Sequence, residues 1–178
     1  MTKMSKNNKN DKIYLEQIPF GSLEAFNVLV EIPEGSNLKY EFDEALGKMK
    51  VDFVFKDLPF PFNYGFILHT LGGDGDQFDA IILSSAPLTS GSVVKCQAVG
   101  VMETLDRREI DNKLIVVPIA DDLAKKYHDI SDLPPDSLQK WTDLYMEIAR
   151  QKQKTIEVLG LKNKQTALEE IKKSLIIP

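Results

Sequence analysis

Residues 72–79, with the sequence Gly-Gly-Asp-Gly-Asp-Gln-Phe-Asp, carry the carboxylates Asp74, Asp76 and Asp79 within six positions. This spacing suits no regular element, because Asp74 and Asp76 would share a strand face from which Asp79 points away. The glycines permit a bend. A bend that gathers three carboxylates supplies the hard oxygen ligands that Mg²⁺ and Ca²⁺ prefer. A solvated acidic turn is the alternative, and the rest of the chain decides between the two.

Four further carboxylates lie on or beside segments that alternate like strands: Glu31, Glu41, Asp106 and Asp111. Lys39 and Glu41 share one strand face, and Asp111 and Lys113 share another. Each pair taken alone is also what a solvent-facing strand looks like. The pattern gains meaning only if the fold brings these residues to one place.

The elements that must position these residues are mostly strands. Alternating or continuous apolar runs predict strands at 26–32, 39–43, 50–55, 78–83, 93–101 and 114–117. A short helix is predicted at 121–127 and a longer amphipathic one at 135–150. A last strand follows at 155–159, and Asn163 caps a terminal helix. The sequence therefore predicts an α+β, mainly β protein: a compact barrel with helices packed outside.

A closed barrel would bring its charged inner and rim residues to one cavity. Seven carboxylates would then meet there: Glu31, Glu41, Asp74, Asp76, Asp79, Asp106 and Asp111. Their mutual repulsion would oppose ionisation, and several divalent cations would relieve it. Lys39, Tyr64 and Lys113 would remain as donors beside the metals, a setting that suits phosphate oxygens.

The same residues carry a family resemblance that runs from about residue 20 to residue 175. Residues 74–79 resemble the D-x-D-x-x-D signature of the soluble family I inorganic pyrophosphatases. Four further motifs follow in the order and spacing of that family: Glu31-Ile32-Pro33, Lys39-Tyr40-Glu41, Asn63-Tyr64-Gly65 and Asp111-Asn112-Lys113. The ordered set is far more specific than the aspartate motif alone.

The resemblance implies a five-stranded, OB-like closed barrel with two main helices outside. It implies Mg²⁺-dependent hydrolysis of pyrophosphate to two phosphates by a metal-bound hydroxide, with several Mg²⁺ per site and Mn²⁺ as a substitute. Asp76 is then the general base. The metal ligands are Asp74, Asp79, Asp106 and Asp111. Glu31 and Glu41 act through metal-bound water, and the substrate contacts are Lys39, Tyr64, Lys113 and Tyr145.

Four positions depart from the family pattern on its phosphate and metal sides, Phe53, Phe60, Met146 and Arg107, and at two of them, Phe53 and Met146, the resemblance implies a cation that this chain lacks. Each lost charge-assisted contact would cost ~1.5–3 kcal/mol. We therefore expect a slower enzyme, weaker substrate binding or an altered preference. Because they lie close to these positions in sequence, we expect Lys56, Arg107 or Arg108 to supply a replacement charge.

Length, net charge and cysteine content limit the number of domains, the partners and the compartment that fit this chain. With 178 residues, the chain fits a single domain, with residues 1–12 as a flexible polar arm. A net charge of −5 argues against nucleic acid or an anionic membrane as partner. The single cysteine, Cys96, suits a reducing cytoplasm. The family resemblance implies a homo-oligomer, with a hexamer favoured, and pyrophosphate and phosphate as ligands.

Three other functions stay open at this point. The chain is alternatively a hydrolase of another small phosphoanhydride, which the altered phosphate side would allow. It is alternatively a metal-binding pseudoenzyme, against which the retained Asp76 argues. An OB-type nucleic-acid binder would need a basic groove with exposed aromatics, whereas the polar strand faces here are acidic.

Overall fold

The computed structural model describes residues 12–176, so the predicted arm at 1–12 lies outside the described residues except for Lys12. The strands are β1 Phe26–Ile32, β2 Leu38–Asp43, β3 Lys48–Val54, β4 Asn63–Ile67, β5 Asp79–Ile82, β6 Val93–Asp106, β7 Glu109–Ile110, β8 Lys113–Pro118 and β9 Ile156–Lys162. The two α-helices in this part of the chain are α1 Ser137–Lys152 and α2 Lys164–Ser174.

Five of the strands close into a ring in the order β1-β4-β5-β8-β6, because β6 also pairs with β1. All of these pairings are antiparallel except β5 with β8. The outer half of β6 pairs with β9 and, at its end, with β7. This ring and the two helices confirm the predicted mainly β, OB-like architecture.

The β2–β3 hairpin forms a separate two-stranded sheet beside the ring. The buried carboxyl of Glu31 on β1 accepts a hydrogen bond of 2.9 Å from the backbone N–H of Phe42 on β2. The side chain of Asn37 closes the open end of the hairpin on itself by donating to the Phe55 carbonyl at 3.0 Å. The bond from Phe42 to Glu31 attaches the hairpin to β1 of the ring.

Each α-helix buries one apolar stripe. On α1, Trp141, Tyr145 and Ile148 pack against a cluster that includes Phe55, Phe60 and Phe62; Trp141 meets Phe62 edge-on at 5.9 Å. On α2, Ala167 and Ile171 pack against a second cluster around β1, β6 and β8. Asn163 caps α2, as the sequence predicts, by accepting from the Thr166 N–H at 3.0 Å.

The structure corrects two predicted elements. The helix predicted at 121–127 is a short 3-10 turn, Asp122–Lys125. The N–H of Leu123 in this turn donates to the side chain of Asp121. Strand β6 continues past residue 101 to Asp106, because β9 and β7 pair with its polar end. Strand β4 went unpredicted. None of the helices in residues 12–176 is long and apolar enough to cross a membrane.

Gly65 marks a close approach between two strands of the ring. It pairs with Val30, and a Cβ built on it would lie 1.8 Å from the carbonyl oxygen of Leu29. No side chain fits there without separating β4 from β1. A glycine in the middle of a buried strand is therefore required by the β1–β4 contact, and it obscured the strand pattern in the sequence.

We predict that Gly65→Ala lowers the free energy of unfolding by about 3 kcal/mol, because the methyl group meets backbone that cannot move alone. Urea unfolding measures the loss. Gly35→Ala is the matched control: it has open space around its Cβ and only the cost of a positive φ, about 1 kcal/mol. Equal losses in the two variants would contradict the steric argument.

Candidate active site

One cavity of about 570 Å³ opens between the ring, the β2–β3 hairpin and the end of α1. Every site residue predicted from the sequence lines it: Glu31, Lys39, Glu41, Tyr64, Asp74, Asp76, Asp79, Asp106, Asp111, Lys113 and Tyr145. These residues come from six strands, one helix and two loops, so only the closed fold brings them together. A second cavity of about 460 Å³ lies beside it and contains none of them.

The acidic loop between β4 and β5 is folded by its own hydrogen bonds. The Gly72 N–H donates to the Asp76 carbonyl at 2.6 Å, and the Asp76 N–H donates to Asp74 Oδ1 at 3.1 Å. Gly75 turns the chain with φ of +91°. Buried Thr70 closes the base by accepting from the Phe78 N–H at 2.9 Å. The predicted bend is confirmed, and it exposes Asp74 and Asp76 to the cavity.

A tight hairpin positions the next two carboxylates. Arg107 and Arg108 both have positive φ between β6 and β7, as a two-residue turn of this kind requires. Asp106 lies directly before the turn. Asp111 is held after the hairpin, because its N–H donates to the Thr104 carbonyl at 2.9 Å and its own carbonyl accepts from the Thr104 hydroxyl.

Lys113 lies at the centre of the acidic wall. The parallel register that pairs Ala80 with Leu114 places Asp79 and Lys113 side by side at the starts of β5 and β8. The buried ammonium group bonds Asp79 Oδ2 and Asp111 Oδ1, each at 2.5 Å. Burial acts to lower the pKa of Lys113, but these carboxylates outweigh it and hold the pKa above its usual value. Lys113 is therefore a permanent cation.

One lysine does not neutralise this wall. Burial, reinforced by the charge of Asp79, raises the pKa of Glu31 to about 7. Burial, reinforced by Asp79 and Asp74, raises the pKa of Asp111 to about 6 even beside Lys113. Eight carboxyl groups line the cavity against four lysines, all in the described residues. The site therefore has a shortage of positive charge.

The donor set fits hard divalent cations. Its ligands are carboxylate oxygens on one wall, and Asp106 Oδ1 is buried without a hydrogen-bond partner among residues 12–176. Within the same residues, no three His, Cys, Asp or Glu side chains already enclose a point where an ion would sit. Lys113 and Lys154 pair with the carboxylates of Asp79, Asp111 and Asp106, so these oxygens face ammonium groups and not a shared point.

Two lysines of this cavity escaped the sequence analysis. Lys152 is the last residue of α1. Lys154 lies two residues further along the chain and pairs with Asp106. Lys152 continues the helical stripe of Trp141, Tyr145 and Ile148, and a charged residue at that position is the signal that would have revealed it.

Of the four positions that depart from the family pattern, only Phe60 lines the cavity. Phe60 packs edge-on to Tyr64 at 6.2 Å. Met146 is exposed, and neither it nor Phe53 lines the cavity. The expected replacement cations Lys56, Arg107 and Arg108 are exposed on the surface and are not among the lining residues.

Comparison with known proteins gives one consistent result. The family model described as inorganic pyrophosphatase matches residues 28–176. The chain is 39% identical over 153 residues to the inorganic pyrophosphatase of Aquifex pyrophilus, covering 83% of this chain and 86% of that one. It is 34% identical over 156 residues to soluble inorganic pyrophosphatase 1 of Arabidopsis thaliana, covering 87% and 74%.

Solved structures agree with the sequence matches. The inorganic pyrophosphatase of Helicobacter pylori superposes with a TM-score of 0.83 at 35% identity, covering 88% of this chain and 94% of that one. The inorganic pyrophosphatase of Thermus thermophilus gives a TM-score of 0.82 at 34% identity, with the same coverage. The similarity therefore spans the ring, the hairpin and both helices.

We predict that Lys113→Met lowers the free energy of unfolding by about 3 kcal/mol at pH 8, because it leaves the partly buried carboxylates of Asp79 and Asp111 without their cation. The deficit relative to wild type should shrink at pH 5, where Asp111, with its raised pKa, takes up a proton. Urea unfolding in chelator at both pH values measures this. Lys125→Met, at an exposed surface pair, is the control. An equal deficit at pH 5 and pH 8 would refute the electrostatic origin.

Proposed function

This chain belongs to the family of inorganic pyrophosphatases and is an enzyme of that class, and we propose that it hydrolyses pyrophosphate to two phosphates in the acidic cavity with Mg²⁺ as cofactor. One observation carries the proposal. All eleven residues that the sequence motifs single out line the same cavity, in a chain that matches the family model over residues 28–176.

The proposed ligands of the divalent ions are Asp74, Asp79, Asp106 and Asp111, with Glu31 and Glu41 holding metal-bound water. Their oxygen-only chemistry and the shortage of positive charge support this assignment. Mn²⁺ would bind the same oxygens. Bound divalent ions lower the pKa of a coordinated water and offset the charge of the phosphates.

Asp76 is the proposed general base. Its side chain is exposed to the cavity at the tip of the acidic loop, and the loop fixes its backbone on both sides. A carboxylate in this position accepts a proton from the attacking water as the water oxygen bonds to phosphorus. The P–O bond to the bridging oxygen then breaks, and its electron pair passes to the leaving phosphate.

Substrate binding is assigned to Lys39, Tyr64, Lys113 and Tyr145. The buried hydroxyl of Tyr145 has no hydrogen-bond partner within residues 12–176, so it is free to donate to a phosphate oxygen. Burial, together with the nearby Asp79, holds the pKa of Tyr64 well above its usual value, so it remains a donor at neutral pH. Donors placed in advance stabilise charge that develops during the reaction.

Hydrolysis of a different small phosphoanhydride is the second candidate. The exposed Met146 and the aromatic Phe53 support it, since neither supplies a cation to the phosphates. An enzyme of this kind would hydrolyse tripolyphosphate in preference to pyrophosphate. Comparing kcat/KM for the two substrates decides between the candidates.

We also propose that the chain works as a homo-oligomer, with a hexamer favoured, and acts in the cytoplasm as a single domain. The chain has a single cysteine, Cys96, which is buried, and this usage suits a reducing compartment. Size-exclusion chromatography with light scattering measures the assembly, and a monomer at micromolar concentration would refute it.

We predict that Asp76→Asn lowers kcat for Mg²⁺-dependent phosphate release by at least 10²-fold, because the amide accepts no proton. Phosphate release from pyrophosphate at neutral pH, with Mg²⁺ and with chelator, is the measurement. Asp122→Asn changes an exposed aspartate outside the cavity and should keep wild-type activity. Wild-type release that persists in chelator, or a variant within twofold of wild type, would overturn the proposal.

A further inference from the structure

Four lysines line the cavity, and one of them differs from the other three in its partners. Lys39 pairs with Asp52 at 2.7 Å, Lys113 with two aspartates at 2.5 Å, and Lys154 with Asp106. Lys152 has only a long contact of 3.8 Å to Asp52, which Lys39 already occupies. Within residues 12–176 its ammonium group makes no hydrogen bond.

Lys152 is nevertheless held in place. Its ammonium nitrogen lies 5.5 Å from the centroid of the Phe53 ring, a cation–π contact, and Phe53 is itself packed on Phe55 at 4.8 Å. The preceding residue, Gln151, bonds both the N–H and the carbonyl of Lys56, at 2.8 and 2.9 Å. These contacts fix the end of α1 against the loop after β3, so Lys152 is not a free surface lysine.

The surroundings of Lys152 are those of an anion site. Burial, the charge of Lys39 and the charge of Lys154 all lower the pKa of Lys152, and Asp52 and Glu41 only partly oppose them. The charges of three lysines in the cavity lining thus act on one another, although Lys39 is paired with Asp52 and Lys154 with Asp106. An anion bound between them would relieve their repulsion, as cations would relieve that of the carboxylates.

We propose that Lys152, held over the ring of Phe53, is a substrate-binding residue that contacts the phosphate group on the Lys39 side of the cavity. This assignment rests on the proposed function, in which the substrate is a diphosphate. Lys152 supplies charge-assisted hydrogen bonds to phosphate oxygens, and Phe53 positions it. The cation that replaces the missing family residues thus comes from the end of α1. It is not supplied by Lys56, Arg107 or Arg108, the residues expected from the sequence.

The test uses Lys152→Met and Lys152→Arg in the full chain, with Lys140→Met as control on the exposed face of the same helix. We expect Lys152→Met to raise KM for Mg²⁺-pyrophosphate about tenfold with kcat within about threefold, since the contact exists in ground and transition state alike. The dissociation constant of methylenediphosphonate, from calorimetry with Mg²⁺, should rise by a similar factor. Lys152→Arg should restore both values, and Lys140→Met should change neither.

Phe53→Leu tests the positioning role. It keeps an apolar side chain but removes the ring face, and we expect KM and the methylenediphosphonate dissociation constant to rise about threefold. In the Lys152→Met background the same change should have no further effect, because Phe53 acts through Lys152. An undiminished effect in that background would overturn the positioning role.

The outcomes separate this inference from the proposed function. If the wild type hydrolyses pyrophosphate and Lys152→Met leaves KM and methylenediphosphonate binding within twofold, the inference is wrong and the proposed function stands. If the wild type does not hydrolyse pyrophosphate, the proposed function fails. Methylenediphosphonate binding then decides alone: a tenfold loss in Lys152→Met keeps Lys152 as a diphosphate-binding residue, and no loss overturns it.

Discussion

The crowding of carboxylates around Lys113 is the constraint on which this structure depends. A buried ammonium group between Asp79 and Asp111 holds the starts of β5 and β8 together, yet burial still raises the pKa of Asp111 to about 6. Carboxylates in this state gain from any further cation. The shortage of positive charge is unfavourable in the protein without metal. The same shortage therefore favours the binding of divalent ions.

The ring of strands exists to make this crowding possible. The parallel pairing of β5 with β8 aligns Asp79 with Lys113, and the hairpin after β6 returns Asp111 to them. Glu31 on β1 attaches the β2–β3 hairpin to the ring by accepting a hydrogen bond from the Phe42 N–H. The same cavity is lined by Lys39, Lys152 and Lys154, of which Lys39 pairs with Asp52 and Lys154 with Asp106. A diphosphate with its metals would match this mixture of charges, because the carboxylates would bind the metals and the lysines the phosphates.

The sequence predicts much of this site and the reason for its limits is physical. The acidic loop and the Asp111–Lys113 pair are local in the chain, so their spacing is readable. Helical spacing places Lys152 on the buried stripe of α1, but its role depends on how α1 packs across Phe53, which is a tertiary contact. Strand β4 is hard to recognise for a similar reason: Gly65 interrupts its apolar pattern, and the glycine is required by the close backbone of Leu29 on another strand.

The most direct test of the account is a calorimetric titration of Mg²⁺ into the protein at neutral pH, in wild type and in Asp111→Asn. Glu109→Gln, an exposed carboxyl outside the cavity, is the matched control. The account predicts saturable binding in wild type and in the control, weakened about tenfold or more in Asp111→Asn. No Mg²⁺ binding by wild type, or identical binding by Asp111→Asn, would show that the acidic wall is not a metal site.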